Sequence, residues 1–239
     1  MTNYKCVIII YCRKEVDETD RNVYSIVLLE ELVGAVDRLA CEHGMSRSGM
    51  INRILAEYLS YATPEEKIGD IFSCMEHFFS EAENFQVRSR QSETMLTVRS
   101  ALMYRYHPTI RYALELFRQS GSAIGELRVS LRTKNPGLEE RLTEFFKFRS
   151  RMENRWLETY FPSQHVPCEI GPGRFHRTFL TPASERDRDA EVIAKAICDY
   201  IQEFDRELKQ YCAGSESPVK TQVKLEWEYQ NHLKKSIII

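Results

Sequence analysis

The sequence VYSIVLLEELVGAVDRLACEHGMSRSGMINRILAEYL, residues 23–59, decides the fold of the first part of the chain. Its first six residues are rich in β-branched and aromatic side chains, which predicts a strand over residues 23–28. Two stretches with apolar residues at three- and four-residue steps follow, and they predict two amphipathic helices. Gly44 is expected to end the first helix in a left-handed conformation, and Ser46 is expected to cap the second. One strand and two short helices cannot bury both apolar stripes alone, so a partner is required.

The apolar stripe of the second helix is long for so small a unit. It consists of Met50, Ile51, Ile54, Leu55, Tyr58 and Leu59. A stripe of this kind predicts a helix that packs against another element along its whole length.

The order of strand, acidic helix start, Gly-Met-Ser-Arg-Ser turn and second helix resembles the ribbon-helix-helix family of the MetJ, Arc and CopG-type repressors. The resemblance covers about 40 of the 239 residues. It implies that two chains pair their strands into an antiparallel ribbon, which enters the DNA major groove above four intertwined helices. The implied protein is a homodimeric transcriptional regulator that binds double-stranded DNA, and its symmetry predicts a palindromic or repeated operator.

The resemblance also implies roles for individual residues. The base-facing positions of the ribbon correspond to Val23, Ser25 and Val27. Because valines contact only thymine methyl groups, this ribbon offers little hydrogen-bond readout of base edges. The phosphate-binding positions around the start of the second helix correspond to Ser46, Arg47, Ser48 and Arg53. Free backbone N–H groups at a helix N-terminus suit an anion.

The length and composition of the chain predict more than one domain. Its 239 residues exceed what one such small unit needs, and 43% of them are hydrophobic, which is ample for a second core. We predict an α+β protein with an N-terminal strand and charged loop (1–20), a ribbon-helix-helix domain (21–62), a connecting helix (63–92) and a C-terminal α+β domain (93–239). The formal net charge of −2 excludes a basic signature of the whole chain, so any nucleic-acid contact is local.

The C-terminal domain begins with alternating apolar residues that predict strands over 96–106, 110–116 and 127–131, joined as an antiparallel meander. Five arginines share the outward parity of these strands: Arg99, Arg105, Arg111, Arg128 and Arg132. A basic sheet face can hold phosphates or another anion, because guanidinium groups match their geometry. The alternative is a solvated face whose arginines pair with carboxylates on a neighbouring helix.

The remaining patterns predict two long helices and one more strand. An aromatic stripe from Leu138 to Tyr160 predicts the first helix, and apolar residues from Val192 to Leu208 predict the second, capped by Ser184. Alternating residues from Val219 to Tyr229 predict a strand that extends the sheet.

The sequence carries no pattern typical of catalysis. His165, Cys168 and His176 are residue types that bind metals, but their spacing fits no metal motif and a fourth ligand is missing. We find no nucleophile elbow, P-loop, dinucleotide fingerprint or H-E-x-x-H, so we predict no enzymatic activity, no metal and no cofactor. The seven cysteines form no C-x-x-C pair, and with no signal peptide or bilayer-length apolar run we predict a cytoplasmic protein without membrane contact.

Three functions stay open at this point. In the leading hypothesis the protein is a DNA-binding regulator whose C-terminal domain senses a small ligand, oligomerises or contacts a protein partner. Alternatively, the N-terminal domain belongs to an antitoxin-like or relaxosome-accessory protein, and the C-terminal domain binds a protein partner. In the third hypothesis the N-terminal domain only dimerises the chain, and the arginine-bearing sheet binds an anionic metabolite or RNA.

Overall fold

The computed structural model describes residues 26–59, 61–104, 107–118, 121–161, 165–182, 184, 188–213 and 217–239. The strand and charged loop predicted for residues 1–20 lie outside this part of the chain, as do Val23, Ser25 and Arg105. The chain divides between Pro64 and Glu65 into two compact units, which we call the N-terminal unit and the C-terminal unit. The described residues form six α-helices and six β-strands, so the protein belongs to the α+β class.

Two helices, α1 (Glu30–Glu42) and α2 (Arg47–Leu59), make up most of the described N-terminal unit. Gly44 follows α1 with a φ of 63°, which confirms the left-handed helix end. The backbone N–H of Gly49 donates to Ser46 Oγ at 3.2 Å, which confirms the predicted cap of α2. The core cluster of this helix pair consists of Val36, Ala40 and Met50.

Four described residues, 26–29, precede α1. Residues 26–29 belong to neither a helix nor a strand, so the strand predicted over 23–28 is not observed in its described part. A strand needs backbone hydrogen bonds from a neighbouring strand, and none of the described strands pairs with these four residues.

The C-terminal unit combines six strands with four helices. Its strands are β1 (Phe85–Ser92), β2 (Met95–Ala101), β3 (Thr109–Leu116), β4 (Ala123–Leu131), β5 (Cys168–Gly171) and β6 (Arg174–Leu180). Its helices are α3 (Pro64–Ser80), of which only Pro64 precedes the boundary, α4 (Pro136–Leu157), α5 (Ala190–Ala213) and α6 (Pro218–Leu233).

All six strands form one antiparallel sheet in the order β1-β2-β3-β4-β6-β5. Neighbouring strands from β1 to β4 pair consecutively, which confirms the predicted meander. One face of the sheet forms a single core with the apolar stripes of α3, α4, α5 and α6. Most of the stripe predicted for α4 is buried there, namely Leu138, Leu142, Phe145, Phe146, Phe148, Met152 and Leu157. Trp156 is half-buried, and Tyr160 lies beyond the end of α4 and is exposed. The opposite face of the sheet carries the outward-pointing arginines.

The strand predicted from Val219 to Tyr229 is wrong, because these residues belong to α6. The alternating residues form two stripes of four-residue steps on different sides of this helix. Leu225 and Tyr229 lie in the core, whereas Val219, Val223 and Trp227 are exposed. Pro218 occupies the first helical turn, where its missing N–H costs nothing.

Three further boundaries differ from the sequence prediction. The predicted connecting helix is helical only as far as Ser80, and residues 85–92 form β1 instead. The strand predicted over 96–106 ends at Ala101, because Leu102 N–H donates to Pro108 O at 2.9 Å and closes a turn. Ser184 does not cap α5, which begins at Ala190 after Asp189. Asp189 Oδ1 accepts from Glu191 N–H at 3.4 Å and takes the place expected of Ser184.

Candidate functional site

The start of α2 presents hydroxyl groups at an exposed helix N-terminus. Ser46, Arg47 and Ser48 are all exposed, and the Oγ atoms of Ser46 and Ser48 lie 3.2 Å apart. The positive end of the helix dipole and the N–H groups of the first turn favour an anion at this position. The predicted phosphate-binding serines therefore lie on an accessible helix end.

Both arginines of the predicted phosphate site contact carboxylates. Arg47 donates from Nε and Nη2 to the two carboxylate oxygens of Asp37, each at 2.6 Å, and so joins α1 to the start of α2. The hydrogen bond from Arg47 lowers the pKa of Asp37. Arg53 donates to Glu57 Oε1 at 3.1 Å along α2. Arg47 thus joins the two helices and Arg53 pairs within α2, whereas Ser46 and Ser48 are exposed at the start of α2.

Much of the apolar surface of the N-terminal unit is exposed. Of the stripe predicted for α2, Met50 is buried, whereas Tyr58 is 86% and Leu59 69% exposed. Other exposed apolar side chains of this unit are Ile26, Val27, Leu29, Leu32, Leu39, Ile54 and Leu55. Among the described residues, these exposed apolar side chains give the two short helices a broad apolar surface.

The strand register brings the predicted arginines of the sheet together on one face. Arg99 of β2 lies directly opposite Arg111 of β3. The same row of paired residues continues through Ser130 to Arg174 on β6. Arg128 lies in the next row, opposite His176. Arg132 follows the end of β4 and is exposed, so four of the five predicted arginines lie in the described part of the sheet or beside it.

The charge of this face is uneven. Arg128 forms ion pairs with Glu115 and Glu126, and His176 Nε2 lies 2.8 Å from Glu126 Oε2. The alternative of a solvated face placed the carboxylates on a neighbouring helix. The carboxylates that pair with Arg128 instead lie on the sheet itself. In the neighbouring row Arg99 and Arg111 lie directly opposite each other, and Arg111 Nη2 also donates to Thr97 Oγ1 at 3.5 Å.

The three candidate metal ligands do not come together. Cys168 of β5 pairs with Arg177 and faces the core, whereas His176 has the opposite parity and faces the arginine-bearing side. In the described part of the chain, no group of three His, Cys, Asp or Glu side chains is placed to hold a metal ion.

A second polar cluster, which the hydrophobic pattern did not predict, lies inside the C-terminal unit. Arg149 and Glu153 of α4, Arg177 of β6 and Glu207 of α5 are each 0–1% exposed. Arg149 Nε donates to Glu153 Oε1 and Arg177 Nε donates to Glu153 Oε2, both at 2.7 Å, and Arg149 also bonds Glu207. We call these four residues the buried arginine cluster. The signal that could have revealed the cluster is strand parity. Arg177 shares the core-facing side of β6 with Phe175 and Phe179.

Two tyrosines complete the surroundings of the buried arginine cluster. The guanidinium carbon of Arg149 lies 4.4 Å from the ring centre of Tyr229, and that of Arg177 lies 4.5 Å from the ring centre of Tyr200. Tyr200 also donates its hydroxyl hydrogen to Glu153 Oε1 at 2.7 Å. These cation–π and hydrogen-bond contacts fix both guanidinium planes.

The ionisation of the two glutamates differs. Arg177 and Arg149 hold the pKa of Glu153 below its usual value despite the opposing effect of burial. Burial raises the pKa of Glu207 to about 7, because desolvation and the nearby Glu203 outweigh its single guanidinium partner, Arg149. Near neutral pH Glu207 is therefore partly protonated, whereas Glu153 is ionised.

Comparison with protein-family models, with curated proteins and with solved structures finds no match to this chain. Among the helices in the described residues, none is both long and apolar enough to cross a membrane.

Proposed function

We propose that the protein is a homodimeric, sequence-specific DNA-binding protein that acts as a transcriptional regulator through its N-terminal unit. The observation that carries the proposal is the pair α1–α2, which exposes both a broad apolar surface and the N-terminal turn of α2. A second copy would cover the apolar surface and supply the partner strand of the ribbon. Two α2 N-termini, related by the dimer axis, would then bind phosphates on either side of the groove.

In this proposal the ribbon inserts Val23, Ser25 and Val27 into the major groove. Ser25 supplies the one hydrogen-bonding side chain of these three, and the valines contact thymine methyl groups. Ser46 and Ser48 bind the DNA backbone. Arg47 contributes to DNA binding in two ways. Its two hydrogen bonds to the carboxylate of Asp37 hold the start of α2 in place, and its positive charge attracts the DNA backbone.

The decisive experiment places a negative charge where the phosphate is proposed to bind. We expect Ser48→Glu to weaken DNA binding by more than about tenfold, roughly 1.4 kcal/mol per site, because a carboxylate would repel the phosphate. Duplexes selected from a random pool by the full-length protein would be titrated by fluorescence anisotropy over a salt series. Val219→Glu adds the same charge to the exposed first turn of α6 and should leave the affinity unchanged.

Two results would contradict the proposal. One is a failure of the wild-type protein to retain any duplex at low salt. The other is equal affinity of the Ser48→Glu and Val219→Glu variants, which would show that the start of α2 does not face DNA.

The row formed by Arg99 and Arg111 favours a second candidate function, namely the binding of an anion or RNA on the sheet. We expect Arg99→Gln to reduce single-stranded RNA binding by about 3-fold to 10-fold, since one phosphate contact would be lost. Arg151→Gln removes an exposed charge from α4, which packs against the opposite face of the sheet, and serves as the matched control. Filter binding of labelled RNA to full-length protein measures the effect, and equal retention by both variants would exclude the row as an RNA site.

A further inference from the structure

One side of α6 carries a row of exposed apolar side chains. Val219, Val223 and Trp227 follow one another at four-residue steps, so they form one stripe along the helix, about 12 Å long at the usual helical rise. Their exposed fractions lie between 64% and 70%. Leu225 and Tyr229, on another side of the same helix, lie in the core. The helix therefore has two apolar sides, and only one of them is buried.

Two lysines lie beside this stripe. Lys220 and Lys224 are exposed, and together with the three apolar residues they line one open concavity on the surface of α6. Because successive residues of a helix are about 100° apart, both lysines fall on the same flank of the stripe. Among the described residues, no carboxylate forms an ion pair with either ammonium group. We call the three apolar residues and the two lysines the α6 surface.

The two carboxylates of α6 are engaged by neighbouring helices. Glu226 Oε1 accepts hydrogen bonds from Arg155 at 3.1 Å and from Trp156 Nε1 at 3.0 Å, both on α4. Glu228 Oε2 accepts from Arg206 of α5 at 2.8 Å. The α6 surface therefore presents apolar area and two positive charges, while the acidic residues of the helix are bound to the rest of the C-terminal unit.

The distribution of charge on α6 decides which kind of partner fits. A second copy docked through the same surface would bring two more lysines and no unengaged carboxylate of α6, and like charges across an interface repel. A helix that lies on an anionic membrane carries lysines and arginines over its whole polar face, whereas the second flank of this stripe carries Gln222 and the engaged Glu226. A partner helix with apolar residues at the same spacing and acidic residues on one flank matches both the stripe and the lysines.

We propose that the α6 surface is the docking site of a partner protein that presents an acidic amphipathic helix. The apolar residues of that helix pack on Val219, Val223 and Trp227, and its carboxylates pair with Lys220 and Lys224. Trp227 is the main anchor, because a tryptophan that becomes buried contributes strongly to an interface. The surface belongs to the C-terminal unit alone, so the proposal does not rest on DNA binding by the N-terminal unit.

A synthetic peptide of repeated Leu-Glu-Ala-Glu units tests the proposal, and a peptide of repeated Leu-Lys-Ala-Lys units is the control for charge. Fluorescence anisotropy of each labelled peptide, titrated with the full-length protein, measures the affinity. We expect saturable binding of the glutamate peptide that weakens as salt is added, because exposed ion pairs are screened. The lysine peptide should bind at least about tenfold more weakly.

Trp227→Ala should weaken binding of the glutamate peptide at least about tenfold, because the main apolar anchor is lost. Met103→Ala is the matched control, since Met103 is also an exposed apolar residue of the C-terminal unit but lies outside α6. It should leave the affinity unchanged.

A double variant, Lys220→Gln with Lys224→Gln, tests the role of charge. It should weaken binding of the glutamate peptide at least about tenfold and reduce the dependence on salt, because both ion pairs are lost. Lys134→Gln with Lys147→Gln removes two exposed lysines outside α6 and should leave the affinity unchanged.

The proposal is overturned if the wild-type protein does not bind the glutamate peptide up to about 1 mM, or if both peptides bind equally well. Equal affinities of the Trp227→Ala and Met103→Ala variants would also overturn it. Co-sedimentation with phosphatidylserine vesicles separates the remaining case. Binding of the vesicles through Trp227, without binding of the glutamate peptide, would identify the α6 surface as a membrane contact and reject a partner helix.

Discussion

Replacement of Glu153 by alanine is expected to remove about 3–5 kcal/mol from the free energy of unfolding. Glu153 accepts hydrogen bonds from Arg149, Arg177 and Tyr200, and all four side chains are buried. Without this carboxylate, two guanidinium groups in the core would lose their shared counter-ion, with Glu207 left to balance both. A buried charge without its partner costs far more than a surface ion pair contributes.

Urea denaturation followed by circular dichroism measures this effect. Glu140→Ala is the control, because Glu140 lies exposed on the same helix and its replacement should change the stability by less than about 0.5 kcal/mol. A loss below about 1 kcal/mol for Glu153→Ala would show that water reaches the arginines in the folded protein.

The second large expected effect is that the free energy of unfolding depends on pH through Glu207. Because the pKa of Glu207 rises from 4.5 in the unfolded chain to about 7 in the folded protein, the folded state binds the extra proton over this range. The stabilisation is therefore complete below pH 4.5 and is lost as the pH rises through about 7. The difference between the two pKa values corresponds to roughly 3 kcal/mol. Arg149, Glu203 and Arg206 are the charged groups that act most strongly on Glu207.

Glu207→Gln should abolish this part of the pH dependence, since an amide does not titrate. Unfolding free energies of wild type and variant would be compared between pH 4.5 and 8, and the difference between the two curves isolates Glu207. Glu191→Gln, an exposed position in the first turn of α5, should instead follow the wild-type curve. Parallel curves for wild type and Glu207→Gln would contradict the assignment.

A helix of this protein was predictable from the sequence wherever its apolar residues form a single stripe at helical spacing. Leu138, Leu142 and Phe145 of α4 repeat at helical steps and lie in the core as predicted. The prediction of a strand over residues 219–229 was wrong, because apolar residues at every second position fit two geometries equally well. They can line the two faces of a strand or form two stripes of four-residue steps on a helix, and Ser217-Pro218 at the helix start was the signal that separates these cases.

The candidate sites were predictable to a smaller extent. Parity alone placed Arg99 and Arg111 on one face, but only the strand register shows that they are direct neighbours. The buried arginine cluster joins residues of three elements far apart in sequence, and hydrophobic patterning treats each arginine as a surface residue. The position of Arg177 between two core phenylalanines is the one local sign that this rule fails here.

The strand order has a consequence for solubility. Among the described strands the two outermost are β1 and β5, and the outer N–H and C=O groups of an edge strand can template the addition of another chain. β5 has four residues, and the pairing of β1 shifts register between Arg88 and Ser92. β1 also carries Arg90, which bonds Glu76 of α3 at 2.9 Å. Short length, irregular pairing and charge are the features by which natural sheets resist edge-to-edge aggregation, so cross-β growth from either edge is disfavoured.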